Sequence, residues 1–367
     1  MNENQSRLYF SGIDFANFIS FVKSTFQTKS TNAKIAILHV EGEDLVCRAI
    51  DDMLNYIEYK VHLFALTNLI EEPVGVYIDD MAVLIKAASG SNFTIRKQSG
   101  QYEFSVVGDG WQPFKTAEVN LESIIPSGDI SNLGEVNSLK LKNVINMVLN
   151  YTMDSVYSQD KYIRFSDTKM YATSRLSGVL AQGEFLNMVV HRNTLNMLKF
   201  LIRSEYALLV KTLNSDVDRL IFEGDCFKLV VIQSDVSAEQ TDVLDIKDFI
   251  AVNYSELSKL VALSQEYSAS KHSTGLQVKN GMLEVTVNNI LYQRHGSIIQ
   301  SFVVGNLKDT TARVDISSNN LMKALKLFQD KKPKNINIYI SDDLSDKQDC
   351  IVLFDDSTQA FVNISSR

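Results

Sequence analysis

The chain has 367 residues, 45% apolar and 22% charged, and a formal net charge of −8. That composition suits two or three globular domains with buried cores, and it excludes a mainly disordered chain or a disulfide miniprotein. The acidic balance also argues against a protein that simply coats nucleic acid, unless its basic residues gather on one surface.

The elements follow a repeat. Six times a short alternating apolar stretch runs into a polar start signal and then a helical pattern: Leu8–Val22, Gly75–Ser89, Ser138–Thr152, Met188–Ile202, Phe249–Leu263 and Arg313–Leu327. Period-two apolar residues predict a strand. The Asp, Asn, Ser or Thr that follows is an N-cap, and the 3.6 spacing beyond it predicts a helix. The predicted helices cover 14–29, 79–90, 142–158, 191–204, 253–271 and 318–332. Strand patterns follow each one, over Lys34–Ile50, Phe93–Val107, Lys161–Ala181, Tyr206–Gln233, Gly275–His295 and Asn335–Ile364. Asn280-Gly281 is a strong hairpin turn, with Glu41–Asp44 and Ser99-Gly100 weaker ones.

Each unit is thus strand, helix, then several antiparallel strands, a little over sixty residues long. Two units make an α+β two-layer domain, because one unit alone cannot bury its sheet face. The expected domains are 1–125, 126–243 and 244–367. Their edge strands are open to pairing with the next domain or another chain.

Charge is distributed unevenly. The predicted helices hold 13 basic and 7 acidic residues, so they are net positive while the remainder is net negative. In the fourth helix Arg192, Asn196, Lys199 and Arg203 share a face opposite Leu195, Leu198 and Ile202. In the sixth, Asn319, Lys323, Lys326 and Asp330 share a face opposite Leu321, Leu325 and Phe328, and Lys331, Lys332 and Lys334 extend the basic end. For one helix this reads as a solvated face. For six equivalent helices on one surface it reads as a lining that holds phosphates without reading bases. The candidate DNA-contacting residues are Lys23, Lys86, Arg192, Lys199, Arg203, Lys259, Lys323, Lys326 and Lys332.

In length, domain number and repeat, this pattern resembles the bacterial-type sliding clamp, the β subunit of DNA polymerase III. Local segments carry it too. Ser158-Gln-Asp-Lys-Tyr-Ile-Arg-Phe165 and Tyr171-Ala-Thr-Ser-Arg-Leu-Ser-Gly-Val179 are similar to that family's Q-D-x-R-Y and A-T-D-G-H-R-L motifs, the second shortened by two residues. Cys47–Leu54 resembles its T-D-L-E segment, and Asp315–Leu327 its F-N-x-x-Y-L-x-x-x-L helix. The last strand, Ala360–Arg367, stands where the family has Y-V-V-M-P-M-R, without the Met-Pro-Met.

The resemblance implies the DNA-clamp fold, three repeated domains with antiparallel sheets outside and two helices each inside. It implies a head-to-tail homodimeric ring around double-stranded DNA, held independently of sequence. It also implies a pocket for short linear motifs of DNA polymerase and clamp loader. By position Thr173, Arg175 and Leu176 would form one wall, and Val362 and Ile364 the other. Sheet core is the competing reading of Leu176, Val362 and Ile364.

Catalytic motifs are missing. There is no phosphate-binding glycine loop, C-x-x-C or H-E-x-x-H, so neither an enzyme nor a cofactor or metal is expected. His191 reads as a helix-start residue. The acidic pairs Asp51-Asp52, Asp79-Asp80, Asp342-Asp343 and Asp355-Asp356 read mostly as helix starts and turns. Scattered Cys47, Cys226 and Cys350, apolar runs too short for a bilayer and no signal-peptide pattern predict a cytoplasmic protein with no membrane partner. The alternative is a non-enzymatic structural or assembly protein, phage-like, that self-associates through sheet edges and does not bind DNA.

Overall fold

The computed structural model describes residues 7–26, 34–65, 70, 72–87, 92–106, 110–149, 162–174, 177–233, 246, 249–266, 273–279, 282–289, 296–303, 314–329, 331–340 and 350–363. Six helices occur among them: α1 (Gly12–Thr25), α2 (Ile78–Ala87), α3 (Ser138–Leu149), α4 (Arg192–Leu201), α5 (Tyr254–Glu266) and α6 (Ser318–Lys326). Each begins directly after a short strand: Arg7–Ser11, Val74–Tyr77, Asp129–Asn137, Met188–His191, Ile250–Asn253 and Val314–Ser317.

Side-chain caps make several of these junctions sharp. Ser11 and Ser317 accept from the backbone N–H three residues on, at 3.4 and 3.5 Å. Asn253 does the same for Glu256 at 3.0 Å, satisfying a helix donor that otherwise has no partner. The third helix corrects the sequence prediction, which began at 142. Its cap is Asn137, whose Oδ1 accepts from the Lys140 N–H at 2.9 Å. An apolar-and-lysine alternation over 138–142 conceals that start, because it fits a strand as well as a helix.

The chain forms two compact units, one of residues 1–145 and 193–234, the other of 146–192 and 235–367. In the first unit the described strands form one 13-stranded sheet system. There α1 and α2 pack together, and Phe10, Phe15 and Phe93 meet edge-to-face at 5.3–6.3 Å beneath α1. In the second unit the described strands form an eight-stranded and a four-stranded sheet. Leu257, Leu260 and Val261 of α5 and Leu321, Leu325 and Phe328 of α6 are buried. Each such side chain contributes about 1.5–3 kcal/mol by leaving water.

One pairing rule holds six times. The strand that enters each helix pairs antiparallel with the first strand after another helix. Arg7–Ser11 pairs with Asn92–Gln98, and Val74–Tyr77 with Ile35–Glu41. Asp129–Asn137 pairs with Ala207–Asn214, and Met188–His191 with Tyr162–Ser166. Ile250–Asn253 pairs with Asn335–Ile340, and Val314–Ser317 with Ser273–Lys279. This reciprocal exchange gives each half of a repeat pair a partner for an otherwise bare edge.

A second rule joins successive repeats. In the first unit Phe227–Ile232, the last strand of its meander, pairs with Tyr56–Ala65, the last strand of another. Tyr56, Leu213, Ile221 and Val230 seal that join, with Ile124 packed against them. In the second unit Thr358–Asn363 pairs with Ser177–Gln182 in the same way. There Leu180, Val352 and Phe361 form the seal.

The turns behave as their residues dictate. Ser99 and Gly100 both have positive φ, 51° and 82°, between paired Gln98 and Gln101. That is the type I′ geometry matched to strand twist. Lys279 and Met282 pair across the Asn280-Gly281 step, and those two residues lie outside the described set.

Candidate nucleic-acid interface

Seven of the nine candidate basic residues sit on helices whose opposite faces are core, while Arg203 and Lys332 follow helix ends. Their surroundings differ sharply. In the first unit Lys23 of α1 is ion-paired to Asp79 of α2 at 2.9 Å, and Asp79 and Asp80 are both exposed. Lys86 is exposed in the last turn of α2. Together α1 and α2 contain two basic and three acidic residues, so this helix pair is not a basic surface.

The contrast is α3 and α4, with four basic residues and no acidic one. Lys140 is exposed in the first turn of α3. Lys142 donates to the Ile202 carbonyl at 2.6 Å, stabilising the end of α4, where a cation is favoured. Neither lysine was among the sequence candidates. The misplaced start of α3 put Lys140 in a strand, and Lys142 gave no facial pattern.

On α4, Asn196 and Lys199 are exposed while Leu195, Leu198 and Leu201 are buried. Arg203 is exposed two residues past the helix end, its guanidinium 5.9 Å from the Phe200 ring. Phe200 in turn meets Phe21 of α1 at 5.6 Å. Arg192, the first residue of α4, is half-buried, so the four-residue face expected here is reduced to Asn196, Lys199 and Arg203.

In the second unit α6 carries two basic residues and no acid. Lys326 is exposed and Lys323 half-buried. Lys332 is exposed beyond the helix with φ 43°. The neighbouring Lys331 is held by Asp355 at 2.5 Å and by Ser357 and Thr358. Lys331 therefore serves the sheet turn at Asp355. That carboxylate also accepts from the Ser357 and Thr358 N–H groups. Burial alone would raise its pKa, but the Lys331 ammonium and the turn donors outweigh that and hold it below the ordinary carboxylate value.

On α5, Lys259 is exposed with Glu256 three residues earlier, the spacing of side-chain neighbours on a helix. Among the described residues Lys86, Lys199, Lys259, Lys326 and Lys332 make no ion pair.

The candidate peptide pocket is only partly described. Thr173 pairs through its backbone with Gly178, and Ser174 with Ser177. Arg175, Leu176 and Ile364 lie outside the described residues. Val362 is fully buried, opposite both Ser177 and Ile351. It packs as sheet core.

In three of the four acidic pairs a described aspartate has a structural role. Asp51 caps a turn through three hydrogen bonds. Asp79 and Asp80 begin α2, and Asp355 organises its turn. Asp342 and Asp343 lie outside the described residues. His191 precedes α4 and meets the Tyr162 ring at 5.2 Å. Among the described residues no His, Cys, Asp and Glu cluster could hold a metal. No described helix is long and apolar enough to cross a membrane.

Compared by sequence, the chain matches no family model and no curated relative. Compared by structure, it is similar along its whole length to solved sliding clamps. A DNA polymerase sliding clamp from Caulobacter crescentus superimposes with a TM-score of 0.79 at 13% identity, covering 99% of this chain and 100% of that one. The DNA polymerase III β subunit of Thermotoga maritima gives 0.78 at 11% identity, covering 98% and 99%. That of Borrelia burgdorferi gives 0.76 at 14%, covering 99% of each. The chain therefore has the α+β sliding-clamp fold.

Proposed function

We propose that this chain, built on the sliding-clamp fold, is a DNA sliding clamp and polymerase processivity factor. The observation that carries the reading is the end-to-end match to solved clamps. In this reading the three repeat pairs are domains 1–125, 126–243 and 244–367, and two copies close head to tail. Duplex DNA passes through the ring, and short linear motifs of polymerase and clamp loader dock at the segment containing Thr173, Arg175 and Leu176. The chain acts by tethering and performs no chemistry.

The strand-joining rule supports closure. Each join within the chain pairs the last strands of two meanders. Two such strands remain without that partner among the described residues: Gly296–Val303, and the edge formed by Gln101–Val106 and Gln112–Pro113. Gly296–Val303 reads GSIIQSFV. It has no charge and no proline, the devices by which a solitary edge strand avoids pairing. Pairing these two edges between copies is a heterologous contact, and two of them close a ring.

The charge pattern supports a loose hold on DNA. Lys199, Arg203, Lys323 and Lys326, together with Lys140 of α3, offer phosphate contacts without base readout. A few such contacts favour sliding over fixed binding. Lys23, matched by Asp79, adds little.

The test is solution mass, with single prolines placed in the free edge. Gln300 and Ser301 are adjacent and pair with Val285 and Glu284, so one of their two N–H groups faces the open side. Of the variants Gln300→Pro and Ser301→Pro, one should remain folded and turn a dimer into a monomer. A monomeric wild type, or two folded variants that stay dimeric, overturns the closure.

A further inference from the structure

The first unit carries an apolar patch that the DNA-tethering reading does not use. We propose that it is a docking site for an apolar protein segment flanked by lysine or arginine. Its centre is the turn between Asp44–Ile50 and Tyr56–Ala65. Met53 and Leu54 there are 48% and 45% exposed. Leu54 has a φ of 58°, a conformation costly for a branched, bulky residue and common for Asn or Gly. Burial compensates only in part, because 45% of the residue is left exposed.

The turn is rigid. Asp51 is 5% exposed, and its Oδ1 accepts from the Met53 and Asn55 N–H groups, both at 2.9 Å. Its Oδ2 accepts from Asn55 Nδ2 at 2.9 Å, and Asp51 and Asn55 also pair through their backbones. A buried carboxylate thus holds two large apolar side chains outward. Backbone strain kept in this way is characteristic of sites that bind.

Register brings more apolar residues to the same sheet end. Tyr56 pairs with Val230, and Leu213 with Arg219. Gln233 donates its N–H to the Asp218 carbonyl, so the 214–218 turn with exposed Val217 flanks the same strand end. Asp129 pairs with Asn214, which brings exposed Ile130 there. Ile124 packs against the cluster of Tyr56, Leu213, Ile221 and Val230, and its neighbour Ile125 is exposed.

Charge selects the occupant. The segments 51–55, 121–130 and 214–219 contain six acidic residues and one basic, Arg219. Asp52, Asp129, Asp216 and Asp218 are all exposed. An apolar centre with an anionic rim attracts an apolar segment with cationic flanks and repels one with acidic flanks.

Methyl-labelled methionine in the full chain gives Met53 its own NMR signal. Two synthetic peptides with the same Leu-Leu-Phe centre serve as probes, one flanked by pairs of lysines and the other by pairs of glutamates. The lysine peptide should shift the Met53 methyl signal and bind at least tenfold more tightly than the glutamate peptide. Raising the salt from 50 to 500 mM should weaken it. The Leu54→Asn variant should lose at least fivefold in affinity while melting no earlier than wild type. Asp216→Asn/Asp218→Asn should weaken the lysine peptide alone. An unmoved Met53 signal at millimolar peptide, equal binding of the two peptides, or full affinity in Leu54→Asn overturns the proposal. None of these readouts depends on DNA or on ring closure, so either reading can fail without the other.

Discussion

Replacing Lys199 and Lys326 by glutamine tests the charge argument most quantitatively. Both are exposed, on helices without an acidic residue, and neither makes an ion pair among the described residues. If each meets one phosphate, the double variant loses two contacts per chain. Each contact contributes about 0.9 to the slope of log K against log salt, so the slope should become shallower by ~1.8 where one copy of the ring meets the duplex and by ~3.6 where both do. At 0.1 M salt the smaller change is a roughly 60-fold loss of affinity, or about 2.5 kcal/mol. The assay is fluorescence anisotropy of a short labelled duplex over a salt series, with mass measured on each variant. Lys23→Gln is the control. Its ammonium is already matched by Asp79 at 2.9 Å, so its slope change should be well under half of one contact. Equal slopes for wild type and the double variant, or an equal effect of Lys23→Gln, would refute the assignment of DNA contact to α4 and α6.

Leu54→Asn should raise stability in urea by about 1 kcal/mol, because Asn tolerates positive φ where Leu is strained. Unchanged or lower stability would show that the turn holds no such strain. Tyr56→Ala should cost about 3–5 kcal/mol, since Tyr56 is 1% exposed at the seal between Tyr56–Ala65 and Phe227–Ile232. A cost below 1 kcal/mol in equilibrium denaturation would contradict that role. Asp355 has a lowered folded-state pKa. Its stabilisation is present above the unfolded value near 4 and fades as pH falls through the lower folded value. Asp355→Asn should therefore destabilise at pH 7 by about 1–2 kcal/mol and flatten the stability profile below pH 4. An unchanged acid limb would count against it.

The repeat was legible because each half is punctuated by short-range chemistry. Strand alternation, a Ser or Asn cap, and helical spacing lie within fifteen residues of one another, as at Ser11, Asn253 and Ser317. α3 shows where this stops. Ser138-Leu-Lys-Leu-Lys142 alternates like a strand, and only the Asn137 side-chain bond to Lys140 reveals the helix. The reciprocal pairing of entry strands was not legible, since Asp129–Asn137 meets Ala207–Asn214 across seventy residues or more.

The basic faces were read correctly as to which side of α4 and α6 is core. The sequence pattern could not weigh Lys23 against Asp79, or Lys331 against Asp355, because those partners come from other elements. The exposed turn at Met53 and Leu54 was also hidden. An apolar pair after two aspartates looks like ordinary strand entry until its φ and exposure are known.

Electron microscopy of the stained full-length protein, with solution mass from the same sample, tests the central claim most directly. The account predicts closed rings containing two copies at twice the chain mass, with averages showing six similar segments. Monomers, or open filaments that never close, would contradict it.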